Sequence, residues 1–307
     1  QWAKWYPVPA FIHIEKCVIT FTQLGRLGRL GNQLFQYAAL RALGLQNGYE
    51  TKIPDPALCV WHGQKCLLGE LNIESNFLIP EDIQKIKFLY EEPDHMKYDD
   101  RFYDVPDGCN LRGFFQSIYY FKNHQDQIRK ELRPKIVHLE KAKKTFNGLK
   151  KDNPNHEIVS LHIRRGDNAD YTDPNQVALR KFFDEGSGFG EYVEKATNTF
   201  KGKKIKYLVF TGGKRWSEDN NDDIGWCRNR LGEEGFIFSE GRTPLEDFCL
   251  IMQCDHHIIS PVSSFGWWSA YLGDREDKTV IAPLGYHPDV DGVNYRPGFY
   301  PDNWIIV

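Results

Sequence analysis

The stretch EIVSLHIRRGD, residues 157–167, is an apolar run that ends abruptly in basic residues. Its series of apolar and β-branched residues predicts a short buried strand. Ligands of open α/β sheets bind beyond the carboxyl ends of the strands, and the two arginines there, Arg164 and Arg165, suit an anion such as a diphosphate. Because successive side chains of a strand face opposite ways, His162 should share a face with Arg164 and not with Arg165. A solvated basic strand end with an internal Arg–Asp pair is the competing interpretation.

The composition of the whole chain is that of an ordinary globular protein with no bias toward a polyanionic partner. Its 307 residues are enough for one large domain or for two of about 150 residues. Charged residues make up 26% and the net charge is −3, so the chain as a whole does not attract nucleic acid or an anionic membrane. Any anion site must therefore be built from local basic residues. No run of about 18 apolar residues occurs that would span a bilayer.

The second half of the sequence alternates strand patterns with helix patterns, which predicts a doubly wound parallel sheet. The first half opens with a strand pattern at residues 16–22, a glycine-rich loop and a helix pattern at residues 34–45. Between the halves lies KKDNPNH, residues 150–156, a polar segment that contains Pro and Asn. We therefore expect two domains, residues 1–152 and 153–307, with the C-terminal residues 283–307 packing back over the body.

Two helix starts in the second half carry groups that suit a nucleotide. At PLED, residues 244–247, the carboxylate of Glu246 or Asp247 matches the two N–H donors on the edge of guanine, although carboxylates in a first helical turn also favour the helix dipole alone. At SPVSSFGWW, residues 260–268, Ser263 or Ser264 is a good N-cap. The backbone N–H groups at this second helix start would suit a phosphate.

The glycine-rich loop QLGRLGRLGNQ, residues 23–33, lacks both the GxGxxG spacing of dinucleotide sites and the GK[ST] of phosphate loops. Arg29 and Asn32 are polar groups on a loop whose glycines let the backbone approach a ligand closely. The repeated GRLG leaves the register open, so that Arg26 could replace Arg29 in this role. A tight packing turn explains the glycines equally well.

The sequence predicts no metal centre. Its seven cysteines contain no CxxC pair, and neither HExxH nor another His/Cys ligand spacing occurs. A DxD formed by Asp289 and Asp291 would suit the cation of a nucleotide diphosphate, but it lies near the C-terminus and far from any strand end. Cys59 and Cys66 are the nearest candidates for a local disulfide.

Four motifs follow one another along the chain: GRLGNQLFQYA at residues 28–38, RGFFQS at 112–117, HIRRGD at 162–167 and EDFCLIMQCDHHIISPVSSFGWWSAYL at 246–272. Together with FYPDNW at 299–304 they resemble the α-1,2-fucosyltransferases of glycosyltransferase family 11 and, more distantly, the protein O-fucosyltransferases. The resemblance implies an α/β, GT-B-like fold in which two Rossmann-like, doubly wound domains face a cleft. By the same resemblance, residues 1–152 form the acceptor-side domain, in which the first sheet and residues 113–121 shape the acceptor side, and residues 153–307 form the GDP-fucose-binding domain. It also implies an inverting, metal-independent transfer of L-fucose from GDP-β-L-fucose, with no further cofactor, to the 2-hydroxyl of a terminal galactose on a glycan.

The resemblance also assigns roles to particular side chains. It implies that Arg165 holds the β-phosphate, while Arg29 and Asn32 reach the diphosphate and the reacting centre. Asp167 is the first candidate for a base that deprotonates the acceptor. Further candidates for the base are Asp170 and Asp173. The residues expected to contact GDP-fucose are His162, Arg164, Arg165, Asp247, Ser263, Ser264 and Phe265. Of these, His162 and Asp247 are expected to face guanine.

Two other functions fit the same motifs. One keeps GDP-fucose but changes the acceptor or linkage, to a protein hydroxyl or to another glycan position. The other is a non-catalytic glycan- or nucleotide-binding homologue, which the pair Gly212 and Gly213 favours because members of the family often carry polar or acidic residues there. An N-terminal anchor outside this chain would place the enzyme in the Golgi lumen and would be its only expected contact with a membrane. A complete chain of this length would instead be cytoplasmic.

Overall fold

Two parallel β-sheets, one from each half of the chain, form the framework of the protein. The computed structural model describes residues 18–95, 97–169, 182–183, 188–212, 222–284 and 298–307. The strands are β1 (Val18–Thr20), β2 (Glu50–Ile53), β3 (Val60–Trp61), β4 (Gln64–Lys65), β5 (Asn76–Phe77), β6 (Phe88–Glu91), β7 (Cys109–Arg112), β8 (Glu157–Ile163), β9 (Ile205–Thr211), β10 (Phe236–Phe238), β11 (His256–Ile258), β12 (Val280–Ala282) and β13 (Ile305–Ile306). The α-helices are α1 (Leu30–Asn47), α2 (Pro80–Gln84), α3 (Gln125–Glu131), α4 (Ile136–Asp152), α5 (Gly188–Asn198), α6 (Asp223–Leu231), α7 (Pro244–Gln253) and α8 (Ser264–Tyr271).

The order of the strands is β5-β2-β1-β7-β6 in the first sheet and β10-β9-β8-β11-β12-β13 in the second. Neighbouring strands run parallel in both sheets, whereas β3 and β4 form a separate antiparallel hairpin. Strand β8 lies between β9 and β11 and is buried at every position after its first residue. The predicted α/β class is confirmed, because strands buried on both faces and joined in parallel require helical connections.

Helix α1 begins four residues earlier than its sequence pattern predicted. The chain turns at Gly28, where φ of 79° favours glycine, and enters the helix from an extended Arg29. Gly31 faces the start of α8 so closely that a Cβ on it would lie 2.5 Å from Ser264 Oγ. This glycine therefore serves the contact between two helix starts, and Asn32 belongs to the first turn of α1 rather than to a loop.

Residues 80–89 and 117–132 of the first half also have helix patterns in the sequence, and both form shorter helices than these patterns predict. The pattern at residues 80–89 forms a helix only as far as Gln84, because Phe88 pairs with Cys109 of β7 and thereby opens β6. The pattern at residues 117–132 forms two short 3₁₀ helices, Ile118–Tyr120 and Lys122–His124, before α3 begins. None of the helices in the described ranges has the length and apolarity needed to cross a membrane.

Aromatic side chains join the two halves in one core. The ring of Phe35 in α1 lies 4.7 Å from the ring of Trp267 in α8. Trp267 Nε1 in turn donates a hydrogen bond to the carbonyl oxygen of Phe299 at 2.9 Å, so the described residues 298–307 contact α8. The expectation that residues 283–307 pack back over the body stays a prediction. Helix α4 also reaches the second half, since Lys150 Nζ lies 2.9 Å from Asp255 Oδ2. The domain boundary expected after residue 152 falls at the end of this helix and stays a prediction.

Candidate active site

A cavity of about 790 Å³ lies between the two halves of the chain. The second half contributes the carboxyl ends of β8 and β9 and the starts of α7 and α8. The first half contributes residues 27–32 and the β3–β4 hairpin. A crevice beyond the carboxyl ends of parallel strands is the usual ligand site of an open α/β sheet. The cavity therefore coincides with the ligand position that the sequence predicted from residues 157–167.

The residues at the end of β8 divide between the cavity and the interior. His162 and Arg164 line the cavity, as the alternation of strand side chains predicted. Arg165 is only 5% exposed: its Nε donates to Asp223 Oδ1 at 3.2 Å, and its guanidinium carbon lies 3.9 Å from the centre of the Trp226 ring. Of these two adjacent arginines, Arg164 is therefore the one that lines the cavity.

Asp167 joins arginines from both halves at the cavity wall. Its Oδ1 accepts hydrogen bonds from Arg29 Nη1 at 3.0 Å and from Arg164 Nη2. Arg164 Nη1 also donates to the carbonyl oxygen of Gly212 at 3.0 Å, which holds its guanidinium at the end of β9. Burial and the neighbouring Arg164 lower the pKa of Arg29, while the Asp167 carboxylate opposes this shift. Two guanidinium groups thus converge on one carboxylate, and this concentration of charged donors suits an anionic ligand.

Asn32 holds the start of α1 against the start of α8. Its Oδ1 accepts hydrogen bonds from Ser264 Oγ and from Gln116 Nε2, both at 2.9 Å. Asn32 and Ser264 also line the cavity, so the structure brings together two residues that the sequence assigned to one site. The contact they make here is with each other, and the diphosphate contacts expected of them stay predictions.

The start of α8 combines a capped helix end with an uncharged histidine. Ser263 Oγ accepts a hydrogen bond from Gly266 N at 3.1 Å and lies 3.2 Å from His162 Nδ1. Burial, with a smaller effect of Arg164, lowers the pKa of His162 to about 3, so this imidazole is uncharged at neutral pH. Phe265 lines the same wall, with its ring centre 5.6 Å from that of His162. Because the N-terminus of a helix carries partial positive charge, this wall favours an anion.

The structure separates the roles of the two carboxylates at the start of α7. Glu246 belongs to a capping box, in which its carboxylate accepts from Thr243 N at 2.8 Å and its own N donates to Thr243 Oγ1 at 3.3 Å. Asp247 instead lines the cavity and accepts a 2.6 Å hydrogen bond from Ser239 Oγ. Burial raises the pKa of Asp247 to about 6, against the lowering effects of Ser239 and of the Arg242 guanidinium. Asp247 is therefore the carboxylate that faces the cavity.

Sequence reasoning missed the part of the cavity wall that the hairpin contributes, which contains Trp61, Gln64 and Lys65. Phe114 also lines the cavity from the first half, and it lies in the segment 113–121 that was expected to shape the acceptor side. The two strands of the hairpin have only two residues each, too few for a period-two pattern. Gly63, with φ of 74°, was the one turn signal between them.

Several predictions concern residues outside the described ranges, and these stay predictions. They are the base candidates Asp170 and Asp173, the DxD of Asp289 and Asp291, and Gly213 with the loop after it. Where the chain is described, no group of three or more His, Cys, Asp or Glu side chains is placed to hold a metal ion.

The local disulfide considered between Cys59 and Cys66 is not formed, because both are free thiols in the structure. Each sulfur has an acceptor of its own. Cys59 Sγ donates to the carbonyl oxygen of Asp55, and Cys66 Sγ donates to Gln33 Oε1, both at 3.3 Å. Burial raises the pKa of the Cys66 thiol to about 11, which disfavours the reactive thiolate.

The arrangement of two parallel sheets around a cleft is shared with a solved protein. The chain superimposes on the crystal structure of POFUT1 in complex with GDP-fucose with a TM-score of 0.51. The match covers 87% of this chain and 98% of that chain at 13% sequence identity, so it concerns the fold. The fold and the cleft thus define an α/β protein of the GT-B-like class, as predicted.

Sequence similarity assigns the chain to one family within this class. The profile of glycosyl transferase family 11 matches residues 2–305, and the chain belongs to this family. The galactoside alpha-(1,2)-fucosyltransferase 1 of Rattus norvegicus is 30% identical over 292 residues, which cover 91% of this chain and 70% of the relative. The alpha-1,2-colitosyltransferase of Escherichia coli is 24% identical over 304 residues, which cover 91% of this chain and 96% of the relative. The protein is a glycosyltransferase, and the resemblance of its motifs to this family is confirmed.

Proposed function

We propose that the protein transfers L-fucose from GDP-β-L-fucose to the 2-hydroxyl of a galactose on a glycan, with inversion at the anomeric carbon and without a metal ion. The observation that carries the proposal is the cluster of Arg29, Arg164 and Asp167, through which both halves of a family 11 chain meet at the cavity. The names of the two relatives, which both specify transfer to a 2-position, support the linkage.

In this proposal the diphosphate of the donor lies between Arg164 and the start of α8. The departing GDP carries negative charge, and preorganised donors that stabilise such charge lower the barrier by about 3 kcal/mol each. Arg164 supplies a guanidinium fork, and the backbone N–H groups beside Ser264 supply the helix end. Asp247 accepts the N1–H and N2–H groups of guanine in its deprotonated form. Arg165 supports this wall by anchoring the turn after β8 to Asp223.

The reaction requires one bond to form and one to break. The 2-hydroxyl oxygen of the acceptor attacks the anomeric carbon, the bond to the β-phosphate oxygen breaks, and the hydroxyl proton passes to a base. Asp167 is the proposed base, and in the structure its Oδ1 accepts hydrogen bonds from Arg29 and Arg164. When Arg164 turns toward the diphosphate, its hydrogen bond to Asp167 is released, and the carboxylate can accept a hydrogen bond from the acceptor hydroxyl instead.

The test measures GDP release from GDP-fucose with and without lactose, with EDTA present throughout, and determines the product linkage by NMR. Release that lactose stimulates, with an α-1,2 linkage in the product, is the expected result. Tight GDP binding without release on lactose or on a wider glycan panel would contradict the proposal and favour a binding protein. Activity that appears only when Mn²⁺ replaces EDTA would contradict metal independence.

A second donor sugar belongs in the same test. One relative is named for the transfer of colitose, and the match covers 96% of it. GDP-colitose should therefore be compared with GDP-fucose as the donor. Faster transfer of colitose would change the proposed sugar while leaving the guanine and diphosphate contacts as they are.

A further inference from the structure

We propose that the β3–β4 hairpin binds the acceptor sugar and that the indole ring of Trp61 is its stacking surface. This inference rests on the proposed function and adds the residues that recognise the acceptor. Trp61, Gln64 and Lys65 line the cavity from the first half of the chain. Trp61 and Gln64 lie directly opposite each other across the hairpin, so their side chains share one face.

The division of the cavity between the two halves leaves this wall for the acceptor. The groups suited to guanine and diphosphate, which are Asp247, Arg164 and the start of α8, all belong to the second half. The pair of Arg29 and Asp167 stands where the halves meet. An inverting displacement requires the attacking hydroxyl to approach opposite the departing phosphate. The acceptor must therefore enter from the side away from the nucleotide, and the hairpin wall carries none of the groups assigned to guanine and diphosphate.

The surroundings of Trp61 suit a pyranose ring. Trp61 is partly exposed inside the cavity, whereas Trp267 and Trp268 are fully buried in the core. Its ring packs edge-on against His62, with ring centres 4.4 Å apart and planes at 89°, and this contact orients the indole. A β-galactose ring presents C–H groups on one face and hydroxyls around its rim. The indole face matches the C–H groups, and the neighbouring Gln64 amide offers both donors and an acceptor to the hydroxyls.

The base of the hairpin is tied to the loop that carries Arg29. Cys66 N donates to the carbonyl oxygen of Cys59 at 3.0 Å and closes the hairpin. Cys66 Sγ donates to Gln33 Oε1 at 3.3 Å, and Gln33 Nε2 donates to the carbonyl oxygen of Gly28 at 2.9 Å. Gly28 immediately precedes Arg29. A sugar held by the hairpin is thereby positioned relative to the arginine–carboxylate pair at the reacting centre.

The experiment compares Trp61→Ala and Trp61→Phe with the wild type and with the control Val60→Ala. Val60 adjoins Trp61 in β3, is 53% exposed and is not among the residues that line the cavity. We expect Trp61→Ala to raise the KM for lactose about tenfold, as loss of an aromatic contact of about 1.4 kcal/mol would. Trp61→Phe should recover part of this loss, and Val60→Ala should match the wild type. The Kd for GDP should change by less than about twofold, since only the acceptor uses this wall.

Three results would overturn the acceptor role of the hairpin: an unchanged KM for lactose in Trp61→Ala, an equal loss in Val60→Ala, or a parallel rise in the Kd for GDP. Saturation-transfer NMR of lactose with the GDP-bound wild type and with Trp61→Ala reports acceptor binding without turnover. Binding lost in the variant supports the inference even if no transfer occurs, and no binding to the wild type overturns it. If fucose is transferred and replacement of Trp61 has no effect, only the acceptor role of the hairpin is refuted. If no glycan is fucosylated, the proposed function is refuted.

Discussion

Replacing Arg164 with lysine tests how the cavity stabilises a departing diphosphate. In the structure the Arg164 guanidinium binds Asp167 and donates to the carbonyl oxygens of Gly212 and Arg165, at 3.0 and 3.1 Å. A lysine ammonium is a point charge and cannot keep the contacts with these two carbonyl oxygens while it also presents a planar fork of donors to a phosphate. Loss of one preorganised donor to a developing negative charge costs about 2.7–4 kcal/mol. We therefore expect kcat for transfer from GDP-fucose to fall about 100- to 1000-fold.

The assay is steady-state GDP release at saturating lactose, with the Kd for GDP measured by calorimetry and the Tm of each variant by circular dichroism. Arg165→Lys is the matched control, because it makes the same change one residue away, on a side chain packed against Asp223 and Trp226. Loss of the cation–π contact, about 0.5–2 kcal/mol, should lower the Tm of this control. Its effect on kcat should be smaller than that of Arg164→Lys.

Near-normal turnover in Arg164→Lys would refute the assignment of the phosphate contact. A larger loss of kcat in Arg165→Lys than in Arg164→Lys, at unchanged Tm, would return the phosphate contact to Arg165.

Asp247 and Gly31, which both line the cavity, allow three further predictions. Burial raises the pKa of Asp247 to about 6 from its ordinary value of 3.8. The Kd for GDP should therefore rise as the pH falls through about 6. Asp247→Asn should remove this pH dependence of the Kd. The folded protein binds this proton more tightly than the unfolded chain does. The contribution of Asp247 to the free energy of unfolding should therefore increase as the pH falls from about 6 to about 4, and urea unfolding at each pH would measure it. Gly31→Ala should lower Tm and turnover together, because its Cβ would lie 2.5 Å from atoms at the start of α8. Gly148→Ala, with no atom within 4 Å of its added Cβ, should be neutral or stabilising, and an equal Tm in both variants would contradict the close contact at Gly31.

Local sequence patterns determined the elements that build the site. The run at residues 157–163 forms β8, and Ser263, one of the two N-cap candidates in its motif, caps α8. Both outcomes depend on neighbours in sequence, since a strand alternates its side chains and an N-cap hydroxyl binds an N–H group three residues later. The same alternation was enough to separate Arg164 from Arg165.

Contacts between distant residues determined how these elements work together. The hydrogen bond between Arg29 and Asp167 joins positions 138 residues apart, and it exists because two helix starts meet at Gly31. The choice of Asp247 over its neighbour followed from burial in the cleft, and the hairpin wall came from a segment without a readable period. A linear pattern records which side chains share a face of one element. It does not record which faces of different elements contact each other. The burial and charge of a site between two sheets depend on those contacts.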